Sequence, residues 1–182
     1  MDELIVGDGP GGLSAALFLG KAGRQVTVFG QDETAMNWAM LHNYLGIDAI
    51  PGKDFQVRAR AQVAAKGATL RAERVTGIAP GPQGFVVTLE GGEQVTARYV
   101  VLSEGKKPAL ADALGCARDG AGLRVDANGL TSVPGVYAVG RMVRPTRSQA
   151  IISAGDGAKA ALDILARETG RDVQDWDTPP EK

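Results

Sequence analysis

A glycine turn between a short apolar strand and a helix is the feature that most constrains the fold of this chain. The strand is Leu4-Ile5-Val6, and the turn carries Gly7, Gly9 and Gly12 in the spacing G-x-G-x-x-G. The first glycine permits a tight turn, the second lets the backbone approach a pyrophosphate, and the third lets helix and strand pack closely. The free N–H groups and the dipole of the helix N-terminus favour an anion there. The turn therefore predicts dinucleotide binding, with an ordinary structural turn as the alternative.

Apolar periodicity further along the chain predicts an α/β fold with a parallel central sheet and a three-stranded antiparallel β-meander. We expect one domain over residues 1–168 and a polar tail over 169–182. The predicted helices cover residues 11–22, 54–66 and 148–167, and the predicted strands cover residues 4–6, 26–29, 70–78, 85–89, 94–98, 99–102 and 136–139. The inward face of the last helix is predicted to consist of Ala150, Ile151, Ala154, Ala158, Ala161 and Leu162.

Composition narrows the function classes. The 20 basic and 21 acidic residues nearly cancel, which argues against nucleic-acid and anionic membrane partners. No apolar run approaches the roughly 20 residues of a membrane span, so we expect a cytoplasmic protein. The single cysteine, Cys116, excludes an internal disulfide and a C-x-x-C pair. No metal site is expected, because His42 has no ligand partners at suitable spacing.

Three separated segments carry a family resemblance. Residues 7–16 (GDGPGGLSAA), 131–140 (TSVPGVYAVG) and 148–158 (SQAIISAGDGA) resemble the FAD-binding half of the thioredoxin reductase family of pyridine nucleotide-disulfide oxidoreductases. The likeness is closest to small thioredoxin reductase-related proteins that keep only this domain. It implies a three-layer, Rossmann-like FAD/NAD(P)-binding fold.

The resemblance also implies a cofactor-binding set. The glycine turn would hold the FAD pyrophosphate, the backbone of Val75 would contact adenine, Asn43 would lie on the flavin side, and Gln149 with Ala150 would lie under the flavin pyrimidine. No catalytic side chain and no metal ligand are included. The full set is Gly7, Gly9, Pro10, Gly11, Gly12, Gly30, Gln31, Asp32, Asn43, Val75, Ser103, Glu104, Gly105, Gly140, Arg141, Gln149 and Ala150.

Four departures from the family pattern predict weakened FAD binding. Gly30 stands where an acid would hold the ribose; Asp32 could replace that acid from the loop, and the alternative is an exposed loop aspartate without this role. Arg141 stands where the family has a flavin-contacting aspartate, and it could pair with the pyrophosphate or remain a solvated surface charge. Ser103-Glu104-Gly105 replaces Ala-Thr-Gly, and Asp8 adds a carboxylate to the phosphate loop.

The resemblance implies an FAD-dependent oxidoreductase that passes electrons between an external donor, such as NAD(P)H, and an external acceptor, with a homodimer as one assembly. In full-length reductases the NADPH domain is inserted between the strand ending at Leu102 and the strand near Leu123, where this chain has only about 20 residues. A self-sufficient disulfide reductase is therefore not expected. The alternative is a non-catalytic nucleotide-binding or interaction module that has weakened or lost FAD binding.

Overall fold

A strand–helix–strand unit opens the chain, as the glycine turn and the following apolar strand predict. The computed structural model describes residues 1–179, so residues 180–182 of the predicted tail lie outside the described residues. Its elements are β1 (Glu3–Val6), α1 (Pro10–Lys21), β2 (Val26–Phe29), β3 (Met40–Leu41), β4 (Ile50–Pro51), α2 (Gly52–Ala65), β5 (Thr69–Arg71), β6 (Val75–Gly81), β7 (Gly84–Leu89), β8 (Gln94–Ala97), β9 (Tyr99–Leu102), α3 (Ala109–Ala113), β10 (Arg118–Asp119), β11 (Gly122–Leu123), β12 (Val136–Ala138) and α4 (Ala150–Thr169).

A parallel sheet of five strands forms the middle layer, in the order β12-β9-β1-β2-β5. Ile5 of β1 lies beside Val28 of β2 and Val101 of β9. The side chains of Ile5, Val28 and Val101 pack against α1 and α4 on one face. Those of Leu4 and Phe29 pack on the other face against the antiparallel sheet β6-β7-β8. The predicted three-layer α/β fold with its β-meander is confirmed.

The strand predicted over residues 70–78 is wrong, because the chain changes sheets within it. Strand β5 pairs with β2 in the parallel sheet and ends at Arg71, whereas β6 begins at Val75 and pairs with β7 in the meander. The crossing is tied to the loop after β2, where the Gln31 side-chain amide donates to the carbonyls of Ala72 and Glu73. Residues 72–74, where the chain passes from one sheet to the other, include no glycine or proline, so the sequence pattern gave no sign of a strand end there.

The inward face predicted for the last helix is also largely wrong. Among its six predicted residues only Ala161 is buried. The buried face is Ser153, Asp156, Gly157, Ala160, Ala161, Ile164 and Leu165. The helix turns this face inward because it crosses α1 closely at Gly157, where a Cβ would lie 2.0 Å from the carbonyl oxygen of Gly11. Asp156 tolerates burial because it accepts hydrogen bonds from the Gly140 N–H and from Arg144.

The helices within residues 1–179 do not combine the length and the apolar character that crossing a bilayer requires.

Candidate functional site

A cavity of about 980 Å³ opens at the carboxyl ends of the parallel strands. Its walls come from the segments that directly follow β1, β9 and β12, and from the first turn of α4. In open α/β sheets this edge is where ligands bind, because the loops and helix N-termini that follow the strands meet there. The cavity is therefore the candidate ligand site.

The structure brings most of the predicted cofactor-binding residues together around this cavity. Its lining includes Gly7, Gly9, Pro10, Gly11, Gln31, Asn43, Val75, Ser103, Glu104, Gly105, Gly140, Arg141, Gln149 and Ala150. Gly12, Gly30 and Asp32 do not line it. Whether the lining residues hold a cofactor stays a prediction.

The glycine turn leaves the start of α1 open to the cavity. Gly7 adopts φ +93°, and a Cβ there would lie 2.3 Å from the Ser103 carbonyl oxygen, so both backbone conformation and packing require glycine. A Cβ at Gly12 would lie 2.0 Å from the carbonyl oxygen of Gly7. Helix α1 begins after Gly9 without a side-chain cap. Its first N–H groups are therefore available to an anionic ligand.

A second helix N-terminus reaches the same cavity. Helix α4 begins after Gln149, again without a side-chain cap, and Gln149, Ala150 and Ser153 all line the cavity. The side-chain amide of Asn43 donates to Oε1 of Gln149 at 3.1 Å, which connects the loop after β3 to the start of α4. Two positive helix ends thus face one space.

Arg141 contributes a buried donor to the cavity wall. Its Nε is buried and has no hydrogen-bond partner among residues 1–179. A buried donor without an acceptor is unfavourable by roughly 1–3 kcal/mol, and more for a charged group. An acceptor on a ligand in the cavity would remove this cost.

Asp8 is almost completely buried at the base of the glycine turn. Its Oδ2 accepts from the backbone N–H of Asp32 at 3.0 Å and from the guanidinium of Arg60. Its backbone carbonyl accepts from the side-chain amide of Gln56. Gln56 and Arg60 lie one helical turn apart on α2, and this i, i+4 spacing of polar residues is the signal by which the sequence could have revealed them.

Glu104 lines the cavity, but both of its carboxylate oxygens bind protein. They accept from the backbone N–H groups of Leu110 at 2.9 Å and Ala111 at 3.1 Å, and so cap the short helix α3. Burial raises the pKa of Glu104. The structure therefore assigns the Glu104 carboxylate a structural contact beside the site.

Comparison with known proteins identifies the family. Residues 48–158 match the model of the pyridine nucleotide-disulphide oxidoreductase family. The chain belongs to this family. It is 33% identical to a thioredoxin reductase of Spironucleus barkhanus over 117 residues, which are 62% of this chain and 38% of that protein. The chain thus matches well under half the length of this curated relative, and the predicted resemblance to thioredoxin reductases is confirmed.

Solved thioredoxin reductases share the fold of this pyridine nucleotide-disulphide oxidoreductase. One from Gloeobacter violaceus superposes with a TM-score of 0.88 at 18% identity and covers 97% of both chains. The atypical thioredoxin reductase TRi of Desulfovibrio vulgaris Hildenborough superposes with a TM-score of 0.83 at 21% identity, over 93% of this chain and 98% of that one.

Members of this family in general use a flavin and NAD(P)H. The cavity therefore lies in a fold of the nucleotide-binding oxidoreductase type. Among residues 1–179 the structure contains no group of three His, Cys, Asp or Glu side chains that could hold a metal ion.

Proposed function

We propose that this chain binds FAD and exchanges electrons between a separate donor and a separate acceptor. The observation that carries the proposal is the meeting of two helix N-termini, of α1 and α4, at one cavity of about 980 Å³. Neither helix start is capped by a side chain. A ligand with a pyrophosphate and a second electron-rich end satisfies both sites at once.

The residues of the cavity fit FAD. The N–H groups after Gly9 suit the pyrophosphate, and the orphaned Nε of Arg141 is a donor that a phosphate or ribityl oxygen can satisfy. Val75 lines the adenine side that the family resemblance implies. Gln149 and Ala150 line the flavin side.

The bound flavin would supply the electron-transfer chemistry, and the chain would supply position and electrostatics. The N-terminus of α4 stabilises negative charge at the flavin end of the cavity. The hydrogen bond from Asn43 to Gln149 holds the loop that covers this end. We assign no side chain as a general acid or base.

We propose further that the donor and acceptor are separate molecules, with NAD(P)H as a candidate donor. Residues 103–123, where the family resemblance places an inserted NADPH domain, form α3 and the short β10–β11 hairpin, and this short connection supports the proposal. The thiol of Cys116 is buried and contacts Thr131 Oγ1 at 3.6 Å, and burial raises its pKa. Such a thiol is a poor nucleophile, so the chain by itself would not reduce disulfides.

The proposal is tested by the visible absorption spectrum of the purified chain after incubation with FAD and removal of free FAD by gel filtration. We expect retained bands of oxidised flavin that bleach on reduction and return with an external acceptor. A spectrum without flavin bands would reject the proposal and favour the non-catalytic nucleotide-binding module.

A variant pair tests the assigned role of Arg141. We expect Arg141→Ala to weaken FAD binding about tenfold, because one hydrogen bond to a charged group contributes about 1.5–3 kcal/mol. Arg147→Ala is the matched control, since this exposed arginine lies outside the cavity lining. Equal FAD dissociation constants for the two variants would remove Arg141 from the site.

A further inference from the structure

Gly30 follows the last residue of β2, where dinucleotide-binding folds place the acid that holds the ribose hydroxyls. Its backbone does not explain why it is glycine. Gly30 is not among the residues with positive φ, and its N–H makes an ordinary bond to the Arg71 carbonyl at 2.9 Å. The reason for glycine must therefore lie in the space beside it.

Asp8 fills that space. A Cβ built on Gly30 would lie 2.4 Å from both Cβ and Cγ of Asp8 and 2.7 Å from its Oδ2. These three atoms are the nearest neighbours of that Cβ, and all belong to one side chain. A carboxylate thus stands where the side chain of a strand-end acid would begin, although it comes from the glycine turn.

The surroundings of Asp8 leave one carboxylate oxygen for a ligand. Both side-chain hydrogen bonds, from the Asp32 N–H and from Arg60, reach Oδ2. No hydrogen-bond donor in the described part of the chain reaches Oδ1, and Oδ1 is not an orphaned buried atom. Asp8 itself lines the cavity. Arg60 and the Asp32 N–H therefore hold the carboxylate with its second oxygen open.

We propose that Asp8 accepts hydrogen bonds from the ribose hydroxyls of an adenine nucleotide, and that Asp8 and Gly30 have exchanged roles relative to the usual arrangement. This inference rests on the proposed function, and it specifies which nucleotides the site accepts. The site takes adenine nucleotides with a free 2′-hydroxyl. It disfavours 2′-deoxy nucleotides, which lack the donor, and 2′-phosphorylated ones, which the carboxylate repels.

The first test is calorimetric titration of the chain with ADP and with 2′-deoxy-ADP, which need no flavin. We expect the wild type to prefer ADP by about tenfold or more, since one hydrogen bond to a charged acceptor is lost with the deoxy ligand. Asp8→Asn should reduce this preference several-fold, because a hydrogen bond to a neutral acceptor contributes only about 0.5–1.5 kcal/mol. Asp48→Asn is the matched control and should keep the preference, because Asp48 is exposed and does not line the cavity.

The second test is the reciprocal exchange, which remains informative if Asp8→Asn is unstable. Gly30→Glu alone should lower the unfolding midpoint, because its side chain collides with Asp8. In the double variant Asp8→Gly/Gly30→Glu the Cβ and the carboxylate of residue 8 are both removed, so the collision is absent and the preference for ADP should return. A double variant that folds without this preference would overturn the exchange.

The failure of this proposal differs from failure of the proposed function. Retention of FAD together with equal affinity for ADP and 2′-deoxy-ADP, or unchanged preference in Asp8→Asn, would overturn the role of Asp8 and leave FAD binding standing. Absence of both FAD and ADP binding would overturn both.

Discussion

Gly9 and Gly12 lie in one turn, but the structure gives them different reasons for lacking a side chain. A Cβ at Gly12 would lie 2.0 Å from a backbone oxygen, so packing within the protein requires glycine there. Among residues 1–179, a Cβ at Gly9 would meet only Thr34 Oγ1, at 3.4 Å. The fold therefore accommodates a side chain at Gly9, and only a closely approaching ligand would exclude it.

We predict that Gly9→Val lowers FAD affinity by about tenfold or more while leaving the unfolding midpoint close to the wild-type value. Gly12→Ala should instead destabilise the fold by at least about 1–3 kcal/mol, because it overpacks the helix–strand contact. FAD titration and thermal unfolding of both variants measure the two effects. Wild-type FAD affinity in a folded Gly9→Val variant would show that no pyrophosphate lies at this turn.

At the residue scale the sequence identified the cavity lining better than it identified contacts between distant residues. The glycines were predictable because each has a local conformational or packing role. From the sequence, Gly30 was interpreted as the loss of a ribose contact and Asp8 as a carboxylate added to the phosphate loop. Only the folded chain shows that they share one space, since their proximity depends on the pairing of β1 with β2.

At the scale of elements, the crossing of α1 and α4 determines the position of both helix N-termini. Gly157 lies against the backbone of α1, where a Cβ would come 2.0 Å from the Gly11 carbonyl oxygen. Gly155 lies two residues earlier on the same helix, and a Cβ there would meet no other atom within 4 Å among the described residues. The two glycines form a matched pair for testing this contact.

We predict opposite effects for alanine at these two positions. Gly157→Ala should destabilise the protein by at least about 1–3 kcal/mol, because helix α4 must move away from α1. Gly155→Ala should stabilise it by about 0.5–1 kcal/mol through the higher helix propensity of alanine. Urea unfolding measures both. Equal stability of the two variants would contradict the close crossing.

This crossing also explains why the predicted face of α4 was wrong. Apolar periodicity assigned Ala150, Ala154 and Ala158 to the core and treated polar positions as exposed. In the structure the close contact is made by a glycine, and the neighbouring Asp156 is buried with hydrogen-bond partners. Hydropathy alone predicts neither the close glycine contact nor the burial of Asp156.

Glu3 makes the start of β1 sensitive to pH. Its side chain is fully buried, accepts from Arg24 Nε at 2.9 Å, and leaves Oε2 without a partner among the described residues. Burial raises the pKa of Glu3 from 4.5 to about 7, although the Arg24 guanidinium acts in the opposite direction. The folded state therefore binds a proton more tightly here than the unfolded state does.

The pKa of Glu3 is higher in the folded state than in the unfolded state. The stabilisation that Glu3 contributes to the free energy of unfolding is therefore fully present below about pH 4.5 and is lost as the pH rises through 7. We predict that Glu3→Gln removes a decrease of roughly 2–4 kcal/mol in the free energy of unfolding over this interval. Chemical unfolding at several pH values measures the slope. Glu90→Gln, at an exposed turn, is the control, and a Glu3→Gln slope equal to that of the control would contradict the assignment.

At the scale of the whole molecule, the two ends of the parallel sheet differ: ion pairs stabilise one end, and the candidate ligand site lies at the other. The amino end is held by charged contacts in which Arg24 pairs with Glu3 and with Glu168 of α4. The carboxyl end carries the glycine turn, the start of α4 and the cavity.

The order of strands and helices was predictable from the sequence, because strand–turn–helix patterns and buried strands have strong local signals. The change of sheets near Ala72 was not, because it depends on long-range pairing.

The central claim is that FAD binds along this cavity with its adenosine diphosphate half at the glycine turn. The measurement that tests it most directly is titration of the purified chain with FAD and with FMN at the same salt concentration. We predict saturable binding of one FAD per chain, with FMN weaker by about tenfold or more because it lacks the adenylate contacts. Undetectable FAD binding, or equal affinity for FMN and FAD, would contradict the account.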